Sequence, residues 1–170
     1  MNDNSPLFRQ WSLWYLIPDR FTNKNADWKE FLHSIHDFSS IEDFWSVYNS
    51  VEKPATLPKG CRYYIFKKGI SPLWEDKHNK GGNEISFLIN NDTNKEIVSD
   101  IFEKVLFSII GETLPESTSV NGVEFTTRVN NYRITIWTGH VSQESLSTIS
   151  NALCSILGRK EPNSVSSINK

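Results

Sequence analysis

The sequence predicts a single α+β domain in which helices pack on one face of an antiparallel sheet. Short runs rich in aromatic and β-branched residues, typical of strands, alternate irregularly with amphipathic stretches typical of helices. No repeat with a period of about 20–50 residues is visible, and no linker divides the 170-residue chain. We expect residues 1–5 to be a flexible N-terminus, 6–157 the folded domain and 158–170 a loose polar tail.

Six runs have the composition of strands. The first is rich in aromatic and branched residues and ends at Pro18, and the last two flank an Asn-Asn pair that favours a tight turn. The predicted strands cover residues 11–17, 29–38, 62–66, 83–89, 122–129 and 132–138. Between the third and the fourth, residues 67–82 form a long loop, and a loop of this length is more often functional than idle.

Three stretches carry helical signals. Ser39 and Glu42 have the spacing of a capping box, and the apolar residues that follow them repeat at helical intervals. A second capping box begins at Thr93 and precedes a long apolar stripe that stops at Gly111, where a C-cap belongs. The third helix is predicted over residues 143–157.

Composition favours a protein of the cytoplasm, with the nucleus as a second location. There is no apolar run of about 18 residues and no basic segment followed by an apolar one near Met1, so no membrane association is expected. Cys61 and Cys154 are far apart and lack metal-ligand spacing. We expect partly buried thiols, with a disulfide as the alternative, and no metal or cofactor.

Charge and tryptophan content constrain the function further. The net charge of −2 argues against nucleic-acid binding through a broad basic surface. Six tryptophans are more than a core of this size needs. If the chain binds RNA, its specificity must come from a pocket for a base, with only a few contacts to phosphate.

Two arginines lie on the last predicted hairpin. If the turn is the pair at 130–131, Arg128 lies opposite Arg133, and Glu124 lies opposite Trp137. Period-two alternation then places both arginines on the face away from the core. Like charges opposite each other destabilise a sheet, so unless each arginine has its own carboxylate the pair requires an anion, for which phosphate is a natural candidate. The alternative is that both arginines point into water and bind nothing.

Two tryptophans stand in polar loops, where packing does not explain them. Trp74 lies in the long loop directly before Glu75, and Trp28 follows a polar loop at residues 19–27. Two indoles beside a carboxylate suit a flat cationic ring such as N7-methylguanine. Stacking then gains a cation–π contribution of roughly 0.5–2 kcal/mol per face. The carboxylate accepts both donors of the guanine edge and so excludes adenine.

Five ordered stretches resemble the cap-binding translation initiation factor 4E family, and the likeness runs over roughly residues 6–157. The matching stretches are 10–14, 41–45, 66–76, 110–112 and 134–138. The resemblance implies a curved antiparallel sheet with three helices on the convex face and the ligand slot on the concave face. It also assigns roles in binding the 7-methylguanosine cap of messenger RNA. Trp28 and Trp74 would stack on the base, Glu75 would bind the guanine edge, Trp137 would lie beside the N7-methyl group, and Arg128 and Arg133 would hold the phosphates.

The same resemblance implies a second binding surface on the convex side. Family members bind a short helix of a scaffold factor of the 4G type, or of a 4E-binding repressor. The matching positions are Pro6, Leu7, Ile41, Trp45 and Phe107. Ile41 and Trp45 lie four residues apart and so share one helical face. Without the resemblance, Trp45 would be read as a core residue.

The chain departs from the family pattern in three places. Where the family has Arg-Trp after two glycines, this chain has Asn83 and Glu84, so we expect a weaker contribution from the triphosphate. Where the family has Leu-Glu on the second helix, this chain has Glu103 and Lys104, which suggests a partner motif with a different, acidic residue. The C-terminal segment is shorter, and its basic loop is absent or reduced to Lys170.

Three functions remain in competition. The first is a monomeric initiation factor that delivers capped messenger RNA through a scaffold protein. The second is a cap-binding repressor or storage paralogue that does not engage the usual scaffold. The third, an enzyme acting on caps or nucleotides, is disfavoured because the sequence has no metal-ligand cluster, nucleophile–base motif or phosphate-binding Gly loop. His33 and His36 have no evident co-ligands, and we interpret them as structural or surface residues.

Overall fold

A curved antiparallel sheet dominates the computed structural model, which describes residues 5–18 and 27–168. Seven strands are present in these residues, in the spatial order β2-β1-β3-β5-β6-β4-β7. They are β1 Pro6–Leu16, β2 Leu32–Ser40, β3 Arg62–Lys67, β4 Asn83–Asn90, β5 Val120–Thr127, β6 Asn131–Thr138 and β7 Ser164–Ser167. The six predicted strands are confirmed, although the second prediction began too early because Trp28–Phe31 forms a 3-10 helix.

Three α-helices of the described chain, α1 Ile41–Ser50, α2 Lys95–Ile110 and α3 Gln143–Leu157, cover the convex face. α1 and α2 each begin after an N-cap residue that lies one position later than the start of the predicted capping box. The Ser40 hydroxyl accepts from the Asp43 N–H at 3.1 Å, and the Asn94 side chain accepts from the Glu96 N–H at 2.8 Å. Both caps have the extended ψ that an N-cap residue needs.

The sheet is apolar on both faces, which explains the high aromatic content. Along β3, Tyr63 and Ile65 pack into the large core beneath the helices, whereas Tyr64 and Phe66 point to the opposite face. The helix-side core includes edge-to-face contact between rings of α2 and β5 whose centroids are 5.1 Å apart. We call the face without helices the open face. It carries its own cluster: Leu16, Tyr64, Phe66, Ile70, Trp137 and Ile168.

The β5–β6 hairpin corrects the predicted register by two residues. Thr126, not Arg128, lies opposite Arg133, and the Arg128 N–H donates to the Asn131 carbonyl at 2.9 Å. The turn is therefore centred on residues 129–130, one position earlier than predicted. Because the shift is even, every side chain keeps its predicted face. Glu124, Arg133 and the indole of the last tryptophan thus still share the open face.

The segment after α3 was expected to be loose, and this prediction is wrong for the residues that the structure describes. β7 pairs antiparallel with β4, with Ser166 opposite Glu84. The Ile168 N–H donates to the Gly82 carbonyl at 2.8 Å, and the side chain is 5% exposed within the open-face cluster. Polar composition concealed the strand because β7 is an edge strand with exposed side chains. Lys170 lies outside the described residues.

Two further expectations concern single properties of the chain. Cys61 and Cys154 are both buried, more completely than the partial burial that was predicted. Burial raises the pKa of the Cys154 thiol, which makes it a poor nucleophile at neutral pH. Among residues 5–18 and 27–168, no helix combines the length and the apolar character that crossing a bilayer requires.

Candidate functional site

The long loop between β3 and β4 is held by its own polar side chains. Asp76 accepts from the backbone N–H groups of Ser71 and His78, each at 2.9 Å. Burial by itself would raise the pKa of Asp76, but these hydrogen bonds lower it. Asn79 is fully buried and donates to the carbonyls of Ser71 and Leu73, each at 2.8 Å. This bracing fixes the segment that presents Trp74.

Trp74 and Trp137 come together on the open face. Trp74 is half-buried against the cluster that contains Trp137, which is 7% exposed. Phe66 packs edge-on against Trp137 with ring centroids 5.4 Å apart. The Phe66 ring lies so close to β5 that a Cβ on Gly122 would be 2.4 Å from its Cδ1 atom, so only glycine fits there. The rings of Phe66, Trp74 and Trp137 form an apolar surface next to the loop, which we call the apolar floor.

Glu75 forms an ion pair with Lys29, the residue that follows Trp28. Lys29 Nζ donates to Glu75 Oε1, while Glu75 Oε2 is buried and has no hydrogen-bond partner among the described residues. The hydrogen bond from Lys29 lowers the pKa of Glu75. The pair brings the backbone of Trp28 next to the loop that carries Trp74. The side chain of Trp28 itself lies outside the part of the chain that the structure describes.

Arg128 and Arg133 line one pocket of about 390 Å³, and a third arginine, Arg62, lines it with them. Arg62 begins β3 and lies opposite Thr126, which in turn lies opposite Arg133 on β6. Arg62, Thr126 and Arg133 thus form one row across three adjacent strands, on the open face. We call this the arginine pocket. The sequence prediction named two of its three cations.

A buried carboxylate links the arginine pocket to the apolar floor. Glu124 is 3% exposed, and its Oε1 lies 3.2 Å from Arg62 Nη1 and 3.9 Å from Arg133 Nη2. Its Oε2 accepts a hydrogen bond from Trp137 Nε1 at 3.1 Å. Thr126 Oγ1 donates to the same carboxylate at 2.9 Å. One charged group therefore sets the positions of an indole and two guanidinium groups.

Asn83 and Glu84, two of the residues that depart from the family pattern, lie on β4. Glu84 is opposite Trp137, and burial, followed by the charge of Glu124, raises its pKa. Asn83 is buried and pairs with Thr138. Thr138 is five residues from Arg133 along β6, which corresponds to about 17 Å of extended chain. Asn83 thus lies at the far end of the strand from the arginine pocket.

The predicted partner-binding residues form a groove on the helix side. A volume of about 260 Å³ is lined by Leu7, Ile41, Trp45 and Phe107, together with Phe44, Ile110 and the α2 C-cap Gly111. Trp45 is 38% exposed and packs against Phe107 with ring centroids 5.6 Å apart, so it is a surface residue and not part of the core. Pro6 is exposed nearby on β1, opposite Ser40.

Sequence reasoning missed Arg62, Lys29 and the linking role of Glu124. A signal existed for two of them. Arg62 alternates with Tyr64 and Phe66 along one strand, and the predicted hairpin already placed Glu124 on the face of Trp137. The Lys29–Glu75 pair joins segments 46 positions apart in sequence, and local patterns do not reveal such a contact.

Comparison with known proteins identifies the family to which the chain is similar. A family model described as eukaryotic initiation factor 4E matches residues 6–166. The chain is 37% identical over 158 residues to the Candida albicans eukaryotic translation initiation factor 4E, covering 92% of this chain and 75% of that protein.

Solved structures give the same result. The Ascaris suum eIF4E-3 complex with an m7G cap aligns with a TM-score of 0.85 at 27% identity, covering 95% of this chain and 97% of that one. The Caenorhabditis elegans eIF4E-3 complex with the 4E-binding protein Mextli and a cap analog aligns with a TM-score of 0.82 at 30% identity, covering 91% and 86%. The chain belongs to the eukaryotic initiation factor 4E family.

Proposed function

We propose that this protein binds the 7-methylguanosine cap of messenger RNA on its open face. The observation that carries the proposal is the convergence of Trp74, Glu75 and Trp137 next to a pocket of arginines. A methylated guanine needs an aromatic surface for its positive charge, an acceptor for its edge donors, and cations for its phosphates. All three are present within one face of the sheet.

The base would lie between the indoles of Trp28 and Trp74, with its methyl group beside Trp137. The unpartnered Oε2 of Glu75 is available to accept a guanine donor, and Oε1 becomes available when Lys29 moves aside. Cation–π attraction of roughly 0.5–2 kcal/mol per face would distinguish the methylated ring from the neutral one. Arg128 and Arg133 would bind the phosphates through charge-assisted hydrogen bonds.

Quenching of tryptophan fluorescence by 7-methyl-GTP and by GTP tests this proposal. We expect strong quenching by the methylated nucleotide alone, and a loss of affinity of at least about tenfold in Trp28→Ala and Trp74→Ala, since stacking contributes about 1–3 kcal/mol per base. Trp45→Ala is the matched control, because it removes an indole from the opposite face. Normal cap affinity in Trp28→Ala would refute the sandwich.

The groove of Leu7, Ile41, Trp45 and Phe107 would take a short amphipathic helix of a scaffold protein of the 4G type or of a 4E-binding repressor. In this role the protein acts without catalysis, as a cytoplasmic monomer, and delivers capped messenger RNA for translation initiation. Relatives in solved structures are complexed with 4E-binding proteins together with cap analogs, which supports both surfaces operating in one molecule.

A second candidate function has the same cap site but leads to repression or storage of the messenger RNA and not to its translation. A repressor or storage paralogue would bind capped messenger RNA without engaging the usual scaffold. Glu103 and Lys104 favour it, because Lys104 presents an exposed positive charge on α2 near the groove. Affinity capture on the intact protein from its own cell extract separates the two: recovery of a 4G-type scaffold supports initiation, and recovery of repressor proteins alone supports the second function.

A further inference from the structure

Arg62 has the position of a ligand-binding residue. It faces Arg133 across the row Arg62–Thr126–Arg133, in which adjacent strands are separated by about 4.8 Å. The two arginine backbones are therefore about 10 Å apart, with a threonine hydroxyl between them. Arg128 closes the same pocket from the hairpin turn. Three guanidinium groups around a space of this width match a chain of phosphates better than a single anion.

The protein itself neutralises this charge incompletely. Glu124 is the carboxylate within ion-pair distance of Arg62 and Arg133, and it offers them a single oxygen because Oε2 is taken by Trp137. The Nε atoms of Arg62 and Arg133 are buried and have no hydrogen-bond partner in the described part of the chain. Because Nε is buried in both residues, a ligand would be bound by the terminal Nη groups, of which Glu124 contacts Nη1 of Arg62 and Nη2 of Arg133.

We propose that Arg62 is a third phosphate-binding residue of the site, acting with Arg128 and Arg133 on the triphosphate. This inference rests on the proposed function. It also reverses the expectation drawn from Asn83, which lies on β4 opposite Thr138, at the end of β6 that is far from the pocket. The cation missing from β4 is replaced by one from β3, and the affinity of this protein depends on the phosphates as well as on the base.

The competing explanation is that Arg62 serves only as a structural counter-ion of Glu124. The two roles predict different relationships between the loss of affinity and the number of phosphates in the ligand. Loss of a counter-ion disturbs Glu124 and, through it, Trp137, so binding of every cap analogue falls by a similar factor. Loss of a phosphate ligand has an effect that grows with the number of phosphates and is absent for the nucleoside.

The test measures dissociation constants of the full chain for 7-methylguanosine, 7-methyl-GMP and 7-methyl-GTP. Arg62→Gln is compared with Lys95→Gln, which removes the same charge at the start of α2. We expect Arg62→Gln to weaken 7-methyl-GTP binding by about 10- to 100-fold and to leave the nucleoside within about twofold. Lys95→Gln should leave all three constants unchanged.

Arg62→Lys retains the charge without the planar donor array, and serves if the glutamine variant does not fold. A loss that increases from nucleoside to triphosphate in this variant supports the proposal as well. An equal loss for all three ligands, or unchanged 7-methyl-GTP affinity, would overturn it while leaving the cap site intact. Failure of the unmodified protein to bind any methylated ligand would instead overturn the proposed function, and this inference with it.

Discussion

Lys29 Nζ donates a hydrogen bond to Glu75 Oε1, and this ion pair joins the 3-10 helix that begins at Trp28 to the loop that carries Trp74. The two segments proposed to enclose the base are thus connected through the carboxylate proposed to identify it. A guanine that takes both oxygens of Glu75 must displace Lys29. The contact therefore influences both the arrangement of the slot and the ionisation of its acceptor.

We expect Lys29→Met to move the acid limit of cap binding to higher pH. The hydrogen bond from Lys29 lowers the pKa of Glu75, so the carboxylate stays ionised to lower pH than an unpaired glutamate. Removing Lys29 returns that pKa towards its ordinary value, and affinity for 7-methyl-GTP then begins to fall at a higher pH. Lys68→Met, which removes a lysine paired with Asp37, is the control. Superimposable pH profiles for Lys29→Met and the unmodified protein would contradict this role.

Glu84→Gln should stabilise the protein at neutral pH. Burial and the charge of Glu124 raise the pKa of Glu84, so the native state binds its proton more tightly than the unfolded state does. Native stability is therefore lost as pH rises from the ordinary glutamate pKa through the raised one. We expect Tm to increase by about 2–4 °C at pH 7, as a change of roughly 1 kcal/mol produces in a domain of this size.

The gain in Glu84→Gln should disappear below the ordinary glutamate pKa, where both states are protonated. Glu161→Gln, at an exposed position after α3, is the control and should change Tm little at either pH. Measuring the Tm of the unmodified protein and of both variants at several pH values tests this prediction. A constant difference in Tm across the whole pH range would exclude ionisation of Glu84 as the cause.

Trp45→Ala should abolish binding of a scaffold-type helical peptide without changing cap affinity. The side chain forms a wall of the groove and packs on Phe107, and truncating a central aromatic residue costs an interface about 2 kcal/mol or more. Ile97→Ala is the matched control, because Ile97 is 52% exposed on α2 but does not line the groove. Calorimetric titration with the peptide should show that its affinity falls by at least roughly 30-fold in Trp45→Ala and is unchanged in Ile97→Ala. A comparable loss in Ile97→Ala would place the peptide elsewhere.

The exposed positive charge of Lys104 should favour a partner peptide that carries an acidic residue at the facing position. We expect a peptide with an acidic residue facing Lys104 to bind more tightly than its basic counterpart by roughly 2- to 5-fold, as exposed pairs contribute up to about 1 kcal/mol. Lys104→Glu should invert this preference, and high salt should reduce it in both proteins. Equal affinities for the two peptides would remove Lys104 from partner recognition.

The sequence was most informative where patterns are local. Alternation along the β5–β6 hairpin assigned side chains to the correct faces even though the hairpin register was wrong, because an error of two residues preserves the period. The bounds of α3 agree with its amphipathic pattern. The family resemblance placed Trp74 on the concave face, and the structure has it half-buried against the open-face cluster, so packing explains this loop tryptophan in part.

Features that depend on distant segments were not predictable in this way. β7 has exposed polar side chains, and its strand character arises from pairing with β4. The ion pairs of Glu124 with Arg62, and of Glu75 with Lys29, join residues 62 and 46 positions apart. Partners at such separations are chosen by the tertiary fold, and no spacing rule in the chain encodes them.

The open-face cluster and the groove lie on opposite faces of one sheet, and among residues 5–18 and 27–168 no side chain belongs to both. Selection on one surface therefore leaves the other free to drift. Substitutions on α2, such as those at Glu103 and Lys104, can change the proposed partner surface and leave the proposed ligand slot unchanged. Likewise, substitution of Arg62 would alter the proposed phosphate contacts and leave the groove unchanged.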